Sequence, residues 1–93
     1  MHLKFEWGRK KAASNLSKHG VSFDEASTVF GDPLATTVPD PDRPESSERL
    51  LTTGLSSRPR VLIVWHTERD DTVRIIGARA ATPRERRTYE SGE

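Results

Sequence analysis

The run VLIVWHTERDD, residues 61–71, passes from the most apolar stretch of the chain into His66, Glu68, Arg69 and a pair of aspartates. Side chains alternate along a strand, so Leu62, Val64, His66 and Glu68 share one face while Val61, Ile63, Trp65 and Thr67 share the other. Arg74 and Arg79 follow in the next apolar stretch, residues 72–80. Histidine ionises near neutrality and can take or return a proton, and a neighbouring carboxylate can orient it or stand in for it. The planar fork of arginine donates two hydrogen bonds to one phosphate. Such a set meets the needs of metal-free RNA cleavage: a base for the 2′ hydroxyl, a cation for the charge growing on phosphorus, and an acid for the leaving oxygen. The same spacing also suits a partly buried histidine that Glu68 holds in a structural role.

Which arginine joins His66 depends on the connection between the two strands. Two unpaired residues in the turn set His66 level with Ile75 and on the face of Arg79, whereas three set it opposite Arg74. The sequence leaves that register open. Further cations that could hold RNA are Lys11 and Lys18 with His19 on an N-terminal helix, and Arg84 and Arg87, beside Arg86, near the C-terminus. In the last turn of its helix, His19 is also placed to favour the negative end of the helix dipole. Trp65, in the most apolar strand, reads as core, Trp7 as either core or base-stacking platform, and Tyr89 as a helix anchor.

The elements that must position these groups can be read from period and punctuation. A short strand at 3–6 precedes a helix over 9–18 with Ala12, Ala13 and Leu16 inward, stopped by Gly20. Ser22 and Glu25 have capping-box spacing ahead of a second helix in which Phe23, Ala26, Val29 and Phe30 recur, ending at Gly31. Strands are expected at 34–38, 49–55, 60–67 and 72–80. The first two flank a loop rich in proline and acid, and tight turns favour an antiparallel meander for the last three. Thr82, Pro83 and Glu85 start a final helix running to about residue 89, with 90–93 a frayed end. The expected architecture is α+β: a small antiparallel sheet of three to four strands, with two N-terminal helices and one C-terminal helix on one face, in a single domain spanning 1–93.

Composition bounds the function. With 32% hydrophobic and 31% charged residues over 93 positions, the chain folds around a thin core. It has no cysteine, which excludes disulfides and thiolate metal sites, and Asp40 and Asp42 lack further ligands at metal spacing, so no metal or other cofactor is expected. No apolar run reaches the roughly 18 residues of a membrane span, and a soluble, cytoplasmic protein is expected. The net charge of +1 hides a division. Residues 1–19 carry five cations against one acid, 20–48 seven acids against one Arg, and 49–93 nine Arg against six acids. If the first and last segments share a face, that face suits phosphate.

Taken together, FEW with Lys11, Ala12, Asn15 and Leu16, then KHGVSFDEASTVFGDPLA, the PDPD loop, Glu48 and Arg49, HTER, and RIIGARAATPRERRTYE resemble the BrnT family of type II toxin–antitoxin systems over nearly the whole chain. The resemblance implies a RelE-like ribonuclease toxin that stops growth by cutting RNA, with or without the ribosome. It also implies a DNA-binding BrnA-like antitoxin, contact with operator DNA only through that partner, and a homodimer within the repressing complex. The chain departs from the family at Gly8, where Asp is usual, and at Ala80, where many relatives have a basic residue. A module that binds RNA or the ribosome without cutting it, acting mainly as the antitoxin's co-repressor, is the competing expectation.

Overall fold

The computed structural model describes residues 3–43, 45 and 48–92. Along the chain come β1 (Lys4–Glu6), α1 (Arg9–His19), α2 (Phe23–Thr28), a 3-10 turn (Val29–Gly31), β2 (Thr36–Pro39), β3 (Leu50–Leu55), β4 (Val61–Arg69), β5 (Thr72–Ala80) and α3 (Pro83–Ser91). Gly20 closes α1 in the left-handed conformation, its N–H donating to the carbonyl of Leu16. At α2 only half of the expected capping box forms: the Ser22 hydroxyl accepts from the Glu25 N–H, while the Glu25 carboxylate turns instead to Arg60 and Ser56. The box at α3 is complete in both directions between Thr82 and Glu85. That helix continues to Ser91 and is closed by Gly92, so residues 90 and 91 are helical rather than frayed, and Glu93 lies outside the described residues.

The sheet has five strands in the order β1-β5-β4-β3-β2 and is mixed, not the antiparallel sheet of three to four strands expected. The meander from β2 to β5 is antiparallel as read, but β1 pairs parallel to β5, Lys4 with Thr72 through Glu6 with Arg74. Three residues are too few to display a period, and their partners lie 68 residues further along the chain. The connection between β4 and β5 is the two-residue turn Asp70-Asp71, with Arg69 paired to Thr72. Asp70 takes the left-handed conformation there (φ 56°), which aspartate tolerates better than most residues.

On one face of the sheet α1 and α2 cover the core, where Val21, Phe23, Ala26 and Val29 meet Leu62, Val64, Val73, Ile75 and Ala78. Gly54 lets the 3-10 turn approach closely, since a Cβ there would stand 2.8 Å from a Val29 methyl. The other face takes α3, which lies along Leu51, Thr53 and Ile63. The three helices therefore occupy two faces, and the basic ends of the chain do not share one.

On α1, Ala12 packs against the core as expected and Asn15 is buried beside it, whereas Ala13 and Leu16 face solvent. The cause lies in the sheet. Because β1 ends at Glu6, level with Arg74, the outer edge of β5 beyond that point has no strand to pair with. The Asn15 amide supplies the missing pairs, accepting from the Ala78 N–H (3.0 Å) and donating to the carbonyls of Ala78 (2.8 Å) and Val21 (2.9 Å).

Candidate functional site

His66 lies on the core side of β4 and is fully buried. Its ring meets Phe30 edge to face, with centroids 4.9 Å apart. Nε2 is 2.7 Å from the Thr52 hydroxyl on β3, which in turn lies 2.7 Å from the hydroxyl of Thr37 on β2. Among the described residues Nδ1 has no hydrogen-bond partner, and it faces Oε2 of Glu68 at 3.6 Å. Burial pushes the imidazole down to about 4, so it is neutral at physiological pH. Of the two readings of His66, a proton-transferring group and a buried histidine beside Glu68, the placement fits the second, because β4 is a central strand and Phe30 closes over the ring.

Neither arginine joins it. The two-residue turn does set His66 opposite Ile75, but the register then shifts between Trp65 and His66: Trp65 pairs with Gly77, leaving Ile76 as an extra residue on β5. One extra residue reverses the alternation beyond it, so Arg79 sits opposite Ile63 on the face away from His66. Arg74, opposite Thr67, is on that same outer face. Arg79 makes a two-pronged ion pair with Glu85 (2.8 and 2.9 Å), and its guanidinium lies 5.3 Å from the centre of the Trp65 ring. The pair draws the Glu85 carboxyl down to about 2. Trp65 is thus half-buried under Arg79 rather than part of the core, whereas Trp7 packs edge to face on Phe23.

Glu68 and Arg74 both border a polar cleft of about 450 Å³ that wraps the β4–β5 turn, Glu68 from the core face with His66 and Arg74 from the outer face. Glu6, Thr67 and Arg69 also line it. Arg74 donates to Glu6 at 3.0 Å across the parallel β1–β5 pairing, and both side chains are about half exposed. Reading the sequence missed Glu6, Thr67 and Arg69 at this cleft: Glu6 reaches it only because β1 pairs with β5, while Thr67 and Arg69 flank Glu68 on β4. It also missed Thr52. The alternation of LLTTGL gives a usable signal there, because it sets a polar residue on the buried face of β3.

The remaining candidates are dispersed. Lys11, Lys18 and His19 are exposed on α1, and Arg84 and Arg87 are exposed on α3 across the sheet. Arg84 borders a groove of about 750 Å³ between α3 and the outer face of the sheet, where Leu34, Leu51, Ile63 and Tyr89 supply apolar wall. Tyr89 acts as the expected anchor, donating to the Asp32 carboxylate, which raises its phenol to about 12. Asp40 is occupied structurally, accepting from the Asp42 N–H and from Arg49. Among the described residues no group of three His, Cys, Asp or Glu side chains is placed to hold a metal ion, and no helix is long and apolar enough to cross a membrane. His2 lies outside the described residues.

A family model described as the ribonuclease toxin, BrnT, of type II toxin–antitoxin systems matches residues 7–85. The chain belongs to the BrnT family. A crystal structure of the Brucella abortus ribonuclease toxin BrnT is similar in fold, with a TM-score of 0.68 and 20% sequence identity over 86% of this chain and 97% of that one. None of the curated proteins compared with the chain matches it. As a BrnT-family member the chain is a ribonuclease toxin of a type II system, a class that comes with an antitoxin partner.

Proposed function

We propose that this BrnT-family toxin cuts RNA without a resident metal in the cleft at the β4–β5 turn, in a RelE-like manner. Glu68 is the proton acceptor and Arg74 the phosphate ligand. The observation that carries this reading is that an exposed carboxylate, Glu68, and two guanidinium groups, Arg69 and Arg74, border one polar cleft. Glu68 takes the proton of the 2′ hydroxyl, the freed oxygen attacks phosphorus, and the 5′ oxygen leaves with a proton from water, giving a cyclic phosphate end and a 5′ hydroxyl end. Arg74 leaves Glu6 for the phosphate and stabilises the charge that develops there, with Arg69 alongside. Arg79 over Trp65 holds the strand further along the same face, and Lys11, Lys18, His19, Arg84 and Arg87 supply attraction at longer range. His66, being sealed, does not touch the substrate.

The antitoxin in this reading is a BrnA-like DNA-binding protein that carries the toxin, as a homodimer in the cytoplasm, to its operator DNA. Expression under tight control with and without the neighbouring antitoxin gene, followed by mapping of RNA ends, tests it. Growth arrest with new 5′ hydroxyl ends, lost in the Arg74→Ala variant and reversed by the antitoxin, is the expected outcome. Arrest without new ends would favour the non-catalytic RNA- or ribosome-binding module. The acidity of the cleft, where Glu6, Glu48, Glu68, Asp70 and Asp71 face Arg69 and Arg74, is the observation on that side.

A further inference from the structure

A neutral imidazole sealed in a core can satisfy both nitrogens only if one finds an acceptor and the other a donor. Nε2 of His66 has the Thr52 hydroxyl, which can play either part. Nδ1 has only the carboxylate of Glu68, which when ionised can only accept. If Nε2 carried the proton, the lone pair of the buried Nδ1 would face an anion at 3.6 Å. With the proton on Nδ1, every group points the same way: the Thr37 hydroxyl donates to Thr52, Thr52 donates to Nε2, and Nδ1–H is aimed at Glu68. Bonds in such a series polarise one another toward its end.

We infer that His66 is a positioning residue, locked by Thr37 and Thr52 as the Nδ1–H tautomer, whose buried N–H fixes the Glu68 carboxylate at the mouth of the β4–β5 cleft. The chain of hydroxyls runs through three adjacent strands, β2, β3 and β4, so the orientation of one surface carboxylate is set by the interior of the sheet. The 3.6 Å separation is longer than a hydrogen bond, so Glu68, whose side chain is 41% exposed, has to move toward Nδ1 for the bond to form. The inference rests on Glu68 being the proton acceptor only for its consequence in catalysis; the tautomer and its coupling to Glu68 stand apart from that.

The test is imidazole 15N spectroscopy on the full chain at neutral pH, beside cleavage kinetics. A protonated Nδ1 and an unprotonated Nε2 at His66 are expected, with the Nδ1 signal shifting in the Glu68→Gln variant as its acceptor changes from carboxylate to amide. An Nε2–H tautomer, or an Nδ1 signal indifferent to Glu68→Gln, would overturn the inference. In kinetics, His66→Phe fills the same space without an N–H, and kcat is expected to fall about tenfold with KM unchanged. His66→Asn returns an N–H near the place of Nδ1 and is expected to recover part of the loss. Equal losses in the Phe and Asn variants, or a change confined to KM, would count against positioning. If Glu68→Gln cuts RNA at the parent rate while the tautomer and coupling are as stated, the functional reading fails and the structural one survives.

Discussion

Between pH 6.5 and about 4 the unfolded chain takes up a proton at His66 that the folded protein refuses, because burial lowers the imidazole's affinity for it. The unfolded state binds more protons in that window, so stability rises with pH across it and is lost on acidification, by an amount on the order of 3 kcal/mol. Urea unfolding at pH 7 and pH 4.5 should show this slope in the parent and lose most of it in His66→Phe. Below pH 4.5 a second loss begins at Glu25. Its carboxyl is held low by the hydrogen bonds from Arg60 against the opposing effect of burial, and by Ser56, so its stabilisation is present above its unfolded value and disappears as pH falls through its folded one. Asn15 is the other residue on which much depends. Asn15→Leu removes both partners of Ala78 from a buried strand edge, and a loss of about 2 to 4 kcal/mol is expected, read from the urea midpoint at unchanged m-value. That His66 and Glu68 share a face was legible in strand alternation. The burial of His66 stood there only as one of two readings, since Phe30 and Thr52, which close around it, come from elements distant in the chain.

Elements defined by local chemistry were read closely, and those defined by distant pairing were not. The C-terminal helix announces itself in Thr82, Pro83 and Glu85, because a cap is made by residues three apart. Thr82→Ala should cost about 1 kcal/mol and, by hydrogen exchange, loosen the first turn of α3 before the sheet is affected. By contrast, β1 gains its place from parallel partners 68 residues onward, and the extra residue at Ile76 comes from a shift that no local pattern marks. That single bulge decides the site, since without it Arg79 would stand on the face of His66, as strict alternation predicts. The same reasoning explains Leu16. Its helical spacing points inward, but the unpaired edge of β5 needs an amide, and α1 turns to present Asn15 instead.

At the scale of the molecule, an α+β chain with the element order read from the sequence folds as a mixed five-stranded sheet with α1 and α2 on one face and α3 on the other. The exposed cations of α1, Lys11 and Lys18, and those of α3, Arg84 and Arg87, are divided between those faces. Phosphate attraction is therefore spread around the protein, and the cleft itself carries more carboxylates than guanidinium groups. RNA binding should weaken steeply as salt rises from 50 to 200 mM, with Lys11→Ala and Lys18→Ala each lowering the slope of log K against log salt by about 0.7 in fluorescence titrations with single-stranded RNA. Catalysis should depend on a different set of groups. The most direct measurement is the rate at which purified protein cuts a labelled RNA in EDTA, for the parent, Arg74→Ala and Glu68→Gln, with the ends identified. The account predicts cyclic phosphate and 5′ hydroxyl ends from the parent and losses of about 100-fold or more in each variant that retains the parent's unfolding midpoint. An inactive parent that still binds RNA, or folded variants that cut at the parent rate, would contradict it.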